Sequence, residues 1–259
     1  MSMRLSMSEP KQEGLEDVLG RSRVYQLLSD AYTFPEEESF RMLKGSFLSE
    51  LTPKLDHANG GDGAFDFLRL RESVERLGNV SDLASEYTRS FGHTLSTECP
   101  PYEAQYEYPH VFQQTQGLAD IAGSYRAFGL QVSNSAGERL DHITVELEFM
   151  SFLAYKQAYA MAHHGEEQVQ ICLDGLRRFM EEHLGRWVPT FATRLARKAG
   201  KGFYKELAEL TAWWVSKDAE RLGVEPAKLR EPDPASFEPE EDGCLSCPMA
   251  TPLGGSELR

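Results

Sequence analysis

Between Glu138 and Glu148 the chain reads ERLDHITVELE, with Glu138, Arg139, Asp141, His142, Glu146 and Glu148 set close together. Carboxylates and an imidazole at this density can ligate a metal, move protons, or pair with cations from a partner. His142 and Glu146 stand four apart, the spacing of an ion pair or hydrogen bond on one helix face. Asp141 is placed to cap a helix, with Leu140 and Val145 as a hydrophobic staple around the cap. A ferritin-like di-iron centre needs two Glu-x-x-His motifs plus further carboxylates. Glu107-Tyr-Pro-His110 supplies one, with Pro109 inside it, and no well-placed second copy follows. Neither a Gly-x-Ser-x-Gly elbow nor a Gly-rich phosphate loop after a strand is present. The acidic stretch therefore reads as a mouth that binds, not as a centre that catalyses.

Two other places carry chemistry. Cys244-Leu-Ser-Cys247 has metal-ligand spacing, but a zinc or iron–sulfur site wants about four ligands. The other cysteines are Cys99 and Cys172, and Cys172 sits where a buried helix residue belongs. The expectation is no cofactor and a pair of tail thiols; the alternative is a metal carrier with zinc or iron–sulfur at Cys244 and Cys247. Cys99-Pro100-Pro101-Tyr102-Glu103 cannot lie inside a helix, because two prolines remove donors and clash with the preceding turn. Tyr102, Tyr106 and Tyr108 lie there beside Glu103 and Glu107. That is a recognition loop, or a loop pinned to the core by its tyrosines.

The acidic mouth opens the densest apolar run in the chain. Ile143, Leu147, Met150 and Ala154 share one helical face, and Val145, Phe149, Phe152 and Leu153 cover most of the rest. A helix apolar nearly all round is central and packed on several sides. The expected helix continues to about Ala162, where His163-His164-Gly165 stops it. Before it, helical spacing runs from Leu15 to Ala31, from Pro35 to Thr52-Pro53, from Phe65 to Leu77, around Leu83–Phe91, and from Val111 to Phe128, where Gly129 supplies a left-handed stop. After it, helices are expected to end at Leu184-Gly185, at Ala199-Gly200 and at Gly223. Strand-like alternation and repeats are missing. The expected fold is all-α, a single globular helical domain of about nine to eleven helices spanning 15–226. Residues 1–14 read as disordered, and 227–259 as a disordered acidic, proline-rich tail.

The composition fits a partner-binding role. A formal net charge of −14 across 259 residues disfavours nucleic acid and anionic membranes and suits a basic partner. No run reaches the roughly 18 apolar residues of a membrane span, and the N-terminus lacks a secretory core, so the expected location is the cytoplasm.

Three groups of residues together resemble a known family. These are Tyr125-Arg-Ala-Phe-Gly129, then Glu138-Arg-Leu-Asp-His142, then Glu146-Leu-Glu-Phe-Met150. The chain is similar over roughly 20–225 to the TorD/DmsD/NarJ-like redox-enzyme maturation chaperones. Cys99-Pro-Pro-Tyr-Glu103 and Leu118-Ala-Asp-Ile-Ala122 look like the branch serving type II dimethyl-sulfoxide-reductase-like molybdoenzymes. The resemblance implies an all-helical, non-catalytic cytoplasmic chaperone; the expected assembly is a monomer or a homodimer. It implies binding of the apo catalytic subunit of a molybdenum enzyme, or of its twin-arginine signal peptide, before cofactor insertion and export. The family's Glu-Arg-Pro-Asp-His maps onto Glu138, Arg139, Asp141 and His142, with Leu140 in place of proline. Physically, the carboxylates of Glu138, Asp141, Glu146 and Glu148 suit guanidinium forks. Tyr125 and Phe128 would flank a groove for an apolar segment, and Tyr102 and Glu103 would add loop contacts. The alternative is that Glu138–Arg139 and Asp141–His142 only lock the linker to the helix.

Overall fold

Helix α8 (Ile143–His163) is the axis of the packing. Ile143, Leu147, Met150, Leu153 and Ala154 are completely buried, so the helix must be covered on several sides at once. The computed structural model describes residues 14–56, 65–92, 98–107, 111–131, 138–227 and 229, with backbone alone at 107 and 111–113. The sequence-based expectations for the N-terminus, the 57–63 loop, most of the 130–137 linker, the Tyr108–His110 segment and the tail with Cys244 and Cys247 lie outside the described residues.

Helix α1 (Leu15–Ala31) covers one side of α8, brought close by small side chains. Ser22 Oγ donates to the Ser151 carbonyl at 2.9 Å, and Ser151 Oγ donates back to the Ser22 carbonyl at 2.8 Å. Helix α9 (Glu166–Phe179) covers another side, where the Phe149 and Phe179 rings meet edge-on at 4.8 Å. Helices α10 (Gly185–Ala199) and α11 (Phe203–Leu222) pack on each other and complete the core with Trp187, Phe191, Leu207 and Trp214. The chain between α1 and α8 supplies α2 (Glu37–Met42), α3 (Leu48–Asp56), α4 (Phe67–Arg76), α5 (Val80–Phe91), the short α6 (Ala104–Glu107) and α7 (Val111–Ala127). The described residues contain no strand, only one antiparallel bridge between Tyr102 and His142. The all-α expectation holds, and no described helix is long and apolar enough to cross a membrane.

Two expected stops are not stops. A π-turn at Met180–Leu184 joins α9 directly to α10, and Gly185 keeps right-handed helical angles (φ −68°, ψ −18°). Glycine is needed there for contact, because a Cβ would lie 2.5 Å from the Met180 carbonyl and 2.5 Å from Pro226. Pro53 likewise lies inside α3, which runs on to Asp56. The missing proline N–H costs one helical bond, and complete burial of Leu51 and Leu55 on either side outweighs it. A second π-turn, Leu43–Phe47, joins α2 to α3. By contrast Gly129 (φ +78°) and Gly223 (φ +71°) do end α7 and α11 in the positive-φ conformation open to glycine.

One buried ionic cluster ties three helices. Arg21 of α1 donates through Nε to Asp218 Oδ1 of α11 at 2.9 Å and through Nη1 to Gln157 of α8 at 3.3 Å. Tyr25 donates to the other Asp218 oxygen at 2.7 Å, and burial beside that carboxylate pushes its hydroxyl pKa well up. Removing one member of such a cluster strands a charge in a dry interior. Asp218→Ala is therefore expected to cost about 3–5 kcal/mol in urea unfolding. A loss below about 1 kcal/mol would show that water reaches Arg21.

Candidate functional site

The prolines at 100 and 101 hold the loop before α6 extended, so that it runs beside the start of α8. Glu103 donates its N–H to the Asp141 carbonyl at 3.0 Å, and Ile143 donates to the Pro101 carbonyl at 2.9 Å. The second bond satisfies the first free N–H of α8, one of the donors every helix start leaves without an internal partner. The cap of α8 is His142, not Asp141 as its position suggested. His142 Nδ1 accepts from Thr144 N at 3.3 Å and lies 2.7 Å from Thr144 Oγ1. Leu140 and Val145 are therefore one position out of register for the expected staple.

Asp141 has a different task. Its carboxylate is completely buried and accepts from Ala104 N at 3.2 Å, capping α6 across the loop. Arg139 grips it with two bonds, Nε to Oδ1 at 3.0 Å and Nη2 to Oδ2 at 2.8 Å. Burial still raises its pKa, with Arg139 working against that rise. Tyr125 donates from its hydroxyl to the Leu140 carbonyl at 2.8 Å, which fastens the same turn to α7.

Beneath the turn lies a second set of acids. Glu103 and Glu146 are both fully buried, and one oxygen of each, Glu103 Oε2 and Glu146 Oε1, has no hydrogen-bond donor. Trp187 donates to Glu146 Oε2 at 2.9 Å, and His183 Nδ1 lies 3.0 Å from Glu103 Oε1. Burial first, and the adjacent Glu103 second, hold the Glu146 carboxyl well above its ordinary pKa. Two buried carboxyls side by side cannot both ionise cheaply, so burial and Glu103 together favour the protonated form of Glu146. The expected His142–Glu146 pair is absent because each has a nearer partner. His142 Nε2 faces Glu138 at 3.7 Å, and Glu146 faces Trp187 and Glu103.

The outer layer is small. Glu138 is 44% exposed and accepts from the Tyr102 hydroxyl at 3.2 Å. Arg139 lies 4.8 Å over the Tyr102 ring, and the Tyr102 and His142 rings meet edge-on at 5.0 Å. Burial, helped by Arg139, lowers the His142 pKa to about 4, so the ring is neutral at pH 7. The expected mouth thus divides in two. Glu138, Arg139, Tyr102 and Glu148 reach solvent, while Glu103, Asp141, His142 and Glu146 are sealed beneath them. Tyr125 is also a core residue, stacked against Phe149 and Phe179, rather than a groove wall. Phe128 is half-buried, its ring lodged where a side chain on Gly175 would collide. Nothing in their spacing marked His183 and Trp187 as members of this cluster, since they are distant in sequence. Cys99 is buried and donates to the Ser90 carbonyl at 3.2 Å. A separate surface cavity of about 420 Å³ is lined by Lys44, Ser49, Thr52, Arg71 and Glu75, away from the rim.

Comparison with known proteins agrees with this architecture. The family described as nitrate reductase delta subunit matches residues 66–193, which include the whole loop, turn and buried acid cluster. A perchlorate reductase assembly chaperone protein of Dechloromonas aromatica is 28% identical over 217 residues, covering 81% of this chain and 93% of its own. The chaperone protein TorD of Shewanella loihica is 28% identical over 231 residues, covering 84% of this chain and 100% of its own. A TorD of Vibrio cholerae is 26% identical over 155 residues, covering 58% and 68%.

The chain is thus similar over most of its length to TorD-like assembly chaperones. Its relatives are named as chaperones or assembly proteins. The buried acids serve the fold, and their protonation gives that fold a pH signature. Because the Glu146 pKa is raised above 4.5, the folded chain holds a proton that the unfolded chain has lost. Stability therefore falls as pH rises from about 4.5 through the raised folded value. His142 acts in the opposite sense, adding stability as pH rises from about 4 to 6.5. In urea unfolding at pH values above 4.5, Glu146→Gln is expected to lack the fall in stability that the raised Glu146 pKa contributes to the parent. An equal slope in both proteins would place the excess proton elsewhere.

Proposed function

We propose that this chain is a cytoplasmic, system-specific chaperone for a molybdenum oxidoreductase. It binds the apo catalytic subunit, or the twin-arginine signal peptide that precedes it, and holds it for cofactor insertion before export. The family and the named roles of the relatives from Dechloromonas and Shewanella support a redox-enzyme client.

One observation carries the peptide-binding part. Glu138 is exposed, yet it is held in place by the Tyr102 hydroxyl and the His142 ring. Neither partner is positively charged at pH 7, so the carboxylate is ordered without being neutralised. An ordered, uncancelled carboxylate loses little entropy when it accepts a guanidinium fork. Arg139 does not cancel it, because its own fork is spent on Asp141. Glu148, within α8, is also exposed and carries a further negative charge. The net charge of −14 steers a basic peptide toward such a surface.

The test is calorimetric titration with the client's N-terminal peptide containing both arginines. Glu138→Gln is expected to weaken binding by about 1 kcal/mol, roughly fivefold, with melting unchanged. Glu75→Gln, at the distant cavity, should leave affinity as it was. Equal affinity of the Glu138→Gln variant and the parent would remove Glu138 from the client site.

A further inference from the structure

The π-turn between α9 and α10 presents an arrangement that client binding does not use. One ligand atom each from Asp120 of α7 and from Glu182 and His183 of the π-turn all lie within 4.8 Å of one another. His183 is 2% exposed, and its Nε2 has no hydrogen-bond partner. Its Nδ1 is committed to Glu103 at 3.0 Å. A carboxylate on Nδ1 fixes the proton there and turns the Nε2 lone pair outward, as behind metal-binding histidines. A buried nitrogen left without a partner is costly, and a bound ion relieves it, as an ordered water would. The Phe179 ring, 4.9 Å from the imidazole, further restricts its rotation. π-turns recur at functional sites because the extra residue aims side chains that a regular helix would not bring together.

We propose that Asp120, Glu182 and His183 bind a divalent transition-metal ion of the zinc class, with Glu103 orienting the imidazole from behind. One imidazole nitrogen and two carboxylate oxygens suit zinc, cobalt, manganese or ferrous iron better than calcium, which takes six to eight oxygens. Three protein ligands leave a tetrahedral position open to water or to a ligand from a partner. The ion would clamp α7 onto the π-turn. Its present stand-in is Arg178, which donates to Glu182 at 2.8 Å and feels Asp120. That guanidinium is 66% exposed and can swing away. It neutralises the carboxylates but leaves His183 Nε2 without a partner, which an ordinary ion-pair cluster does not explain.

The test uses the full chain carrying Cys244→Ser and Cys247→Ser, so that tail thiolates do not compete. After chelator treatment it is titrated with Co²⁺ alone and followed by visible absorption. One Co²⁺ per chain is expected, with ligand-field bands and no thiolate charge-transfer band. His183→Ala can fail to fold because it empties a buried position, so Asp120→Asn carries the test. It should weaken Co²⁺ binding at least about tenfold while melting without metal stays the same. Arg178→Gln, which removes the competing cation, should tighten binding. The proposal is overturned if the parent binds no Co²⁺ or if Asp120→Asn binds it equally well. It is also overturned if Arg178→Gln only lowers the melting temperature without tightening metal.

Discussion

The buried carboxylate of Asp141 is the constraint on which the rest of the site depends. A charge taken out of water is tolerated only when nearby donors replace its hydration. Asp141 collects them from three directions: the two arms of Arg139, and Ala104 from the opposing loop. Its carbonyl accepts from Glu103 as well. Through that one residue the proline-bearing loop, the turn before α8 and the short α6 become a single piece. Arg139, held by Asp141, stacks over Tyr102, and Tyr102 holds Glu138. The exposed rim is thus ordered from below.

The division between sealed and exposed acids follows from this. Glu103, Asp141 and Glu146 do not face a partner, and their alignment reflects packing in a polar layer against Trp187 and His183. A layer of this kind adds little net stability, but it fixes which loop meets which helix. Such definition suits the polypeptide-binding surface proposed above. The apolar core below, from Phe149 through Phe179 to Trp187, supplies the rigidity.

The sequence made parts of this legible. The all-round apolar pattern of α8, the glycine stops at 129 and 223, and the extended loop at Pro100-Pro101 depend on neighbours a few residues away. Local periodicity and backbone chemistry are enough to find them. The motif order from Tyr125 to Met150 also pointed to the family. Pairings were not legible, because each joins distant residues: Asp141 to Ala104, Glu146 to Trp187, and Glu103 to His183. Spacing of four suggested His142 with Glu146, yet the tertiary partners of Glu146 are stronger. Gly185 looked like a stop because glycine favours one, whereas the π-turn that carries the helix through it has no simple sequence period. An acidic stretch alone cannot say which of its carboxylates will be dry.

Site-resolved amide hydrogen exchange on Asp141→Asn tests the central claim most directly. If Asp141 is the knot, the amides of Glu103, Ala104 and Ile143 lose protection together, by about tenfold or more, while those in the middle of α10 and α11 keep theirs. Unchanged protection at those three amides would contradict the account, because loop and helix would then be held together by something else.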